Sequence, residues 1–238
     1  KSLNHLVIDL QSKLRNTLIL KQIPCKYFYS PTYNFRFTSI KKNYHKSNYN
    51  NKITIQNLEK LTSQKIDYEK YNLVSINEDF FIEARKLLPL NNYIGFSLTQ
   101  GNLYRKKSWS VNNFINLASK LEEKNLIPVF FIEKKEIELI NKIKSSLPDA
   151  LFPEHHSNIA CPALVTALAN RLDLAISIDN GVMHMLGLAN IPLIVLFGPT
   201  DSEKFSPKIK SIKILDSKTI YKSKDINKIT VHDVFKLI

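Results

Sequence analysis

Apolar residues recur along this chain in two rhythms. Short, nearly continuous apolar runs cover residues 4–10, 93–97, 127–132, 172–178, 192–197 and 209–215. Runs of that length, bounded by polar turns, predict buried strands. Between them the apolar positions fall at helical spacing. The most regular helix is predicted over 111–124, with Phe114, Leu117, Ala118 and Leu121 on its core face and Ser110 placed as N-cap. Further helices are predicted over 11–20, 53–61, 80–87, 136–146, 162–171, 181–189 and 231–238, the fifth of these with Pro162 in its first turn. Short strands are predicted over 71–76 and 150–152. Strands alternating with helices predict an α/β fold with a parallel sheet.

The stretch from Leu172 to Pro207 organises the rest. It reads strand, turn, helix, strand, and Asp179-Asn180-Gly181 lies where the first strand ends and the helix begins. Open α/β sheets bind ligands at that edge, where free N–H groups and the helix dipole attract phosphate. His184 falls in the first helical turn and faces the same crevice. Phe197-Gly198-Pro199-Thr200 closes the next strand, so two adjacent strand ends bring small and polar residues to one cleft. Taken alone, Asp179 also reads as an N-cap, Asn180-Gly181 as a turn and His184 as a surface histidine.

Composition narrows the function classes. The 238 residues include 44% hydrophobic ones, enough for a sizeable core in one or two domains. A formal net charge of +13 suits anionic partners: nucleotide diphosphates, phosphorylated glycolipids, nucleic acid or an anionic membrane surface. The lysines are scattered and share a general Lys, Ile and Asn bias. Cys25 and Cys161 form neither a disulfide framework nor a metal-ligand pair, so a reducing compartment is expected. No apolar run approaches the roughly 20 residues of a membrane helix. Residues 25–52 read as a short strand and a long loop; their aromatics interleaved with lysines make them the best nucleic-acid candidate, although no RNA-binding motif accompanies them. The loop before Trp109 carries Arg105, Lys106 and Lys107, which by themselves read as a solvated basic loop.

D-N-G-V-M-H-M-L-G-L-A-N-I-P-L-I-V-L-F-G-P-T-D, followed by Phe205-Ser206-Pro207, resembles the donor-site signature of glycosyltransferase family 9, the heptosyltransferase family. That signature is D-[ST]-G-x-x-H, a helix of small residues, then P-x-x-x-L-F-G-P-T. Asn180 stands where the family usually has Ser or Thr, and Asn keeps a side-chain donor. Lys107-Ser108-Trp109 matches the family's Lys-x-Trp. Asp9, Gln11 and Arg15 resemble its D-x-Q-x-x-x-[RK] segment.

The resemblance implies a GT-B fold of two Rossmann-like domains with parallel sheets, the first one incomplete. The expected division is an acceptor-side domain over 1–90, a nucleotide-sugar domain over 91–220 and a terminal helix in 221–238 that packs back toward the first domain. Leu90-Asn91-Asn92 serves as linker. The implied donor site comprises Lys107 as phosphate ligand with Thr99 and Asn102 beside it, then Asp179, Asn180, Gly181, Val182, Met183 and His184, and Gly198 and Thr200. Glu133 or Glu136 is the implied ribose ligand, although the family's Gly-rich sequence is missing there. Asp9, Gln11, Arg15, Lys41 and His45 are the implied acceptor-side residues.

The implied reaction moves a heptose-like sugar from ADP-heptose to a lipopolysaccharide core acceptor with inversion, without metal or cofactor. It is expected in the cytoplasm, in peripheral contact with the inner membrane and without a nucleic-acid partner. The family's general base is an Asp in a segment preceding residue 4, so this chain alone is expected to bind donor but transfer little sugar. The rival readings are a non-catalytic nucleotide-sugar-binding homologue and a basic nucleic-acid-binding protein.

Overall fold

The computed structural model describes residues 3–46, 51–66, 73–99 and 107–238. It forms two compact units, Lys1–Tyr71 and Asn72–Ile238.

The first unit contains β1 (Asn4–Ile8), α1 (Leu14–Leu20), β2 (Cys25–Tyr29), α2 (Thr32–Phe35) and α3 (Asn51–Thr62). β1 and β2 pair in parallel, with Asn4 opposite Cys25 and Ile8 opposite Tyr29. Although read as a buried strand, β1 is largely exposed, with Ile8 at 39%. The helix predicted from residue 11 begins only at Leu14. Ser12 has φ of 55°, which is incompatible with a helix continuing from Gln11, so the Asp9 carboxylate, accepting from Gln11 N at 3.0 Å, closes a separate turn ahead of α1. Tyr29, Phe35, Leu58 and Leu61 form a small core. The segment after β2 is no free loop. The buried Asn57 side chain accepts from His45 N (3.0 Å) and donates to His45 O (2.7 Å), fastening that segment to α3.

The second unit opens with a 3-10 turn, Leu73–Ser75, inside the strand predicted over 71–76; residues 71 and 72 lie outside the described residues. Ile76 N closes that turn on Leu73 O, and Asn77 caps α4 (Glu78–Leu87) immediately afterwards, leaving no length for a strand. Then follow β3 (Tyr93–Ser97), α5 (Val111–Glu122), β4 (Ile127–Phe130), α6 (Ile137–Ser146), α7 (Pro162–Ala169), β5 (Leu172–Ile178), α8 (Gly181–Leu188), β6 (Leu193–Phe197), α9 (Ser202–Phe205), β7 (Ile212–Asp216), α10 (Ser217–Tyr221) and α11 (Val231–Phe235). The strand predicted over 150–152 contributes one bridge, Leu151 to Val129.

The five strands run parallel in the order β4-β3-β5-β6-β7. β4 is an edge strand, which suits Pro128, a residue without an N–H to donate. Both faces of the sheet are covered. Ile176, Ile178, Ile194 and Leu196 face one core with Phe114, Leu117 and Ile143. Ala175, Leu193, Val195 and Phe197 alternate with them into the other, with Leu164, Leu168 and Leu186. Near-continuous apolar strands are what such a doubly covered sheet requires. Each fully buried Leu, Ile or Phe contributes roughly 1.5–3 kcal/mol, against at most about 1 kcal/mol for a surface pair such as Arg85 with Glu78. The sheet is therefore held by its two cores.

The division falls at 71/72 rather than at 90/91 because α4 belongs to the sheet unit. Ala84 and Leu88 are buried in the second core, and Arg171 donates from Nε to Leu88 O (3.1 Å) and from Nη2 to Leu90 O (2.8 Å). The terminal helix α11 packs on α5, with Val234 in the first core.

Candidate functional site

In this strand order the chain leaves β3 toward β4 and leaves β5 toward β6, so the connections diverge between two adjacent strands. The crevice outside their carboxyl ends is the topological switch point, where open α/β sheets bind ligands. β3 and β5 end there at Ser97 and Ile178.

Asn180 ties the two ends together. Its side chain accepts from Met183 N at 2.9 Å, capping α8, and its Nδ2 donates to Ser97 Oγ (2.7 Å) and to Thr99 O (2.9 Å). A Ser or Thr hydroxyl has one proton to donate, so the Asn at this position makes a bridge to β3 that neither could make in full. Beside it, Lys107 Nζ forms an ion pair with Asp179 Oδ2 and lies 3.4 Å from Asp179 O. Both side chains are largely buried, at 12% and 8% exposure. Trp109 holds this segment in place: it is buried against Phe114, and its Nε1 donates to Ile229 O at 2.8 Å. Ser110 N donates to Asn227 Oδ1 at 2.8 Å.

The first N–H groups of a helix have no partner within it. Asn180 takes that of Met183, whose own side chain is buried; those of Gly181 and Val182 begin the helix at its positive end. A Cβ built on Gly181 meets nothing within 4 Å. This helix start is open to a ligand, with the Lys107 ammonium nearby. His184 is exposed on the same turn.

A cavity of about 470 Å³ begins at Val182 and runs under the ends of β3 and β4, between Thr99, Phe131, Ile132, Val165 and Glu154. Glu133 lies on its rim, exposed and paired with Lys135 at 2.6 Å; Glu136 precedes α6 and is not among the lining residues. Burial, reinforced by the Glu133 charge, pushes the Glu154 carboxyl up to about 7. Glu154 and His155, which also line this cavity, are not singled out by the sequence, where Glu-His-His after Phe152-Pro153 is the only local signal; Cys161, read there only as an unpaired thiol, lines it too. A smaller cavity of about 310 Å³, between Asp173, Pro192 and Ser211, lies at the amino ends of the strands, away from these groups.

The end of β6 is built differently. A Cβ on Gly198 would stand 2.9 Å from both Ile226 Cβ and Lys224 O. Thr200 O accepts from Lys218 Nζ, while Thr200 Oγ1 is buried with no hydrogen-bond partner among the described residues. Asn102 lies outside the described residues.

The remaining candidates belong to the first unit. Asp9 is buried, accepting from Thr17 Oγ1 (2.5 Å), Ser30 Oγ (2.9 Å) and Gln11 N. The exposed Gln11 accepts from Asn16, and Arg15 is exposed. Lys41 donates to Phe35 O and Arg36 O, and His45 is held through its backbone by Asn57. Among the described residues no three His, Cys, Asp or Glu side chains cluster as a metal site.

A doubly wound sheet with a capped helix start, a lysine and an adjoining cavity at its switch point is an arrangement that nucleotide-binding α/β proteins use. The model of glycosyltransferase family 9 (heptosyltransferase) matches residues 4–234, and the chain belongs to that family.

Among solved structures it is similar to a family 9 glycosyltransferase from Veillonella parvula DSM 2008. That match is 20% identical, covers 99% of this chain and 73% of that one, and has a TM-score of 0.75. The E. coli heptosyltransferase WaaC with ADP is 13% identical over 99% of this chain and 72% of that one, with a TM-score of 0.71. The E. coli ADP-heptose lps heptosyltransferase II is 17% identical over 68% of this chain and 51% of that one, with a TM-score of 0.55. The fold is thus the parallel-sheet α/β fold of GT-B heptosyltransferases. No curated protein sequence is significantly similar to the chain.

Proposed function

We propose that this chain binds a nucleotide-diphospho-sugar, ADP-heptose, at the ends of β3 and β5. In the proposed reaction the sugar passes with inversion to a phosphorylated lipopolysaccharide core acceptor. The observation that carries this reading is the clasp at the switch point: Asn180 joined to Ser97 and Thr99, with Lys107 held on Asp179 beside the open start of α8.

An acceptor hydroxyl attacks the anomeric carbon from the face opposite the diphosphate. The bond from that carbon to the phosphate oxygen breaks, and negative charge grows on the departing diphosphate. The Lys107 ammonium and the first N–H groups of α8 are the groups proposed to receive that charge. Asn102 and Thr200 are proposed as further donor contacts, as are Gly198 and His184. The hydroxyl proton requires a base, and Asp9 does not fit: its carboxylate is buried and engaged by two hydroxyls and a backbone N–H.

The formal charge of +13 suits peripheral association with an anionic membrane face on the cytoplasmic side. Among the described residues no helix is long and apolar enough to cross a membrane. Calorimetry tests the reading. ADP is expected to bind the folded chain saturably, and binding of single-stranded oligonucleotide without binding of ADP would refute it.

A further inference from the structure

The proposed phosphate lysine sits on a segment that is anchored from the far end of the chain. We propose that Asn227 is a positioning residue for the diphosphate site: its side chain grips the backbone on both sides of Trp109 and so holds Lys107 within reach of an anion at the start of α8. This rests on reading that helix start as the diphosphate site.

The turn that bears Asn227 is fixed at both ends. Ile226 and Ile229 are buried in the first core, and Ile226 also fills the space beside Gly198. Between them runs a 3-10 turn, Ile226–Lys228, capped by Asp225, whose carboxylate accepts from Asn227 N at 3.0 Å. The exposed Asn227 side chain therefore projects from a pinned backbone.

Chemistry decides which way its amide faces. A carboxylate only accepts, so the Asn227 atom 3.2 Å from Asp225 Oδ1 is the amide nitrogen. That leaves Oδ1 to accept from Ser110 N at 2.8 Å, while Nδ2 also reaches Ser108 O at 3.4 Å, the weaker of the two bonds. One amide thus takes the N–H that follows Trp109 and the carbonyl that precedes it, and Ile229 O takes the indole N–H. An Asp at this position could not donate to Ser108 O and would set a second carboxylate against Asp225.

Lys107 is the next residue before the gripped Ser108. With its ammonium on Asp179 and its backbone beside the clamp, it has little freedom left to lose when it meets a phosphate. A released segment would have to be ordered at the moment of binding, and affinity would fall by that cost. The effect is transmitted through Lys107 and should vanish without it.

The test is a double-mutant cycle on the full chain, with ADP binding followed by calorimetry at a temperature where each variant is folded. Asn227→Ala should bind ADP roughly tenfold more weakly than wild type, the worth of about one hydrogen bond. In a Lys107→Ala background the same substitution should change ADP affinity by less than about twofold, whereas a merely structural loss would weaken both backgrounds alike. Trp109, the one tryptophan of the chain, supplies a second readout. Its emission should be quenched by acrylamide more readily in Asn227→Ala than in wild type at unchanged helix content, and saturating ADP should reverse part of the difference. Ser110→Pro attacks the same bond from the other side, because φ of −56° at Ser110 suits a proline ring, which has no N–H to give. It should reproduce both the weaker binding and its dependence on Lys107.

Wild-type ADP affinity in Asn227→Ala and Ser110→Pro, or an equal loss in both Lys107 backgrounds, overturns the role of Asn227 while leaving the diphosphate site standing. Failure of the folded wild-type chain to bind ADP overturns the two readings together.

Discussion

The ends of β5 and β6 both follow a buried apolar run with a glycine, Gly181 after Asp179-Asn180 and Gly198 between Phe197 and Pro199, yet the structure uses these glycines in opposite ways. At Gly181 the space a side chain would occupy is empty, and the backbone N–H groups of α8 begin there. At Gly198 that space is filled by Ile226 and the carbonyl of Lys224. The first glycine leaves room for a visitor, whereas the second lets two parts of the protein meet. A strand-end glycine therefore does not identify a ligand site until its neighbours are known.

The largest effect that would test this contrast is expected at the open loop. Lys107→Ala strands the Asp179 carboxylate, largely buried, without its cation. Loss of one partner of such a pair costs about 3 kcal/mol, measurable by urea denaturation. Calorimetry under conditions where the variant is folded should show ADP binding weakened by roughly 1.5–3 kcal/mol, the worth of a charge-assisted hydrogen bond. Unchanged stability and affinity would reduce Lys107 to a solvated charge.

Gly198→Ala comes next. The added methyl meets backbone as well as Ile226, and overpacking of this kind costs roughly 1–3 kcal/mol. An unaltered melting temperature would mean that the Lys224 to Ile226 turn yields freely, which would erase the difference between the loops.

The cavity beside the open loop should also make stability depend on pH. The Glu154 carboxyl is raised from 4.5 to about 7 on folding, so the stabilisation from its protonation is fully present below pH 4.5 and is lost as pH rises through 7. Thermal melts of Glu154→Gln should match wild type in acid and exceed it in mild alkali; a constant gap at all pH values would contradict this.

The smallest effect is expected for Gly181→Ala. With nothing within 4 Å, the methyl should change stability by no more than about 0.5 kcal/mol, while standing over the N–H groups and lowering ADP affinity. A Gly181→Ala protein as unstable as Gly198→Ala would break the comparison outright.

Much of the second unit was legible. The strand over 172–178 is β5 residue for residue, because its apolar run ends abruptly at Asp179-Asn180-Gly181. Shorter elements escaped. α9 and α10 have four and five residues, too few for an apolar stripe, and only Asp201 and Asp216, which cap them, hint at their starts. A boundary at 90–92 is suggested by the polar residues gathered there, but the Arg171 bonds that fasten this stretch to the sheet unit reach back 83 and 81 residues.

The same limit applies to the candidate site. The donor capacity of Asn180 could be read from its side chain. That it reaches both Ser97 and Thr99 depends on β3 lying next to β5, which a local pattern does not encode. Nothing local distinguishes Glu154 from a solvated charge in a connecting segment; only the surrounding cavity makes it unusual.

The hydrogen bond from Trp109 to Ile229 spans 120 residues of chain. Synthesis proceeds from the amino end, so the segment bearing Lys107 leaves the ribosome long before its anchor exists. The five strands can pair first, while the bonds that hold the Trp109 segment form only when Asn227 and Ile229 arrive. A nascent chain arrested before Asn227 would own every candidate donor residue and still lack the latch on the segment that bears Lys107.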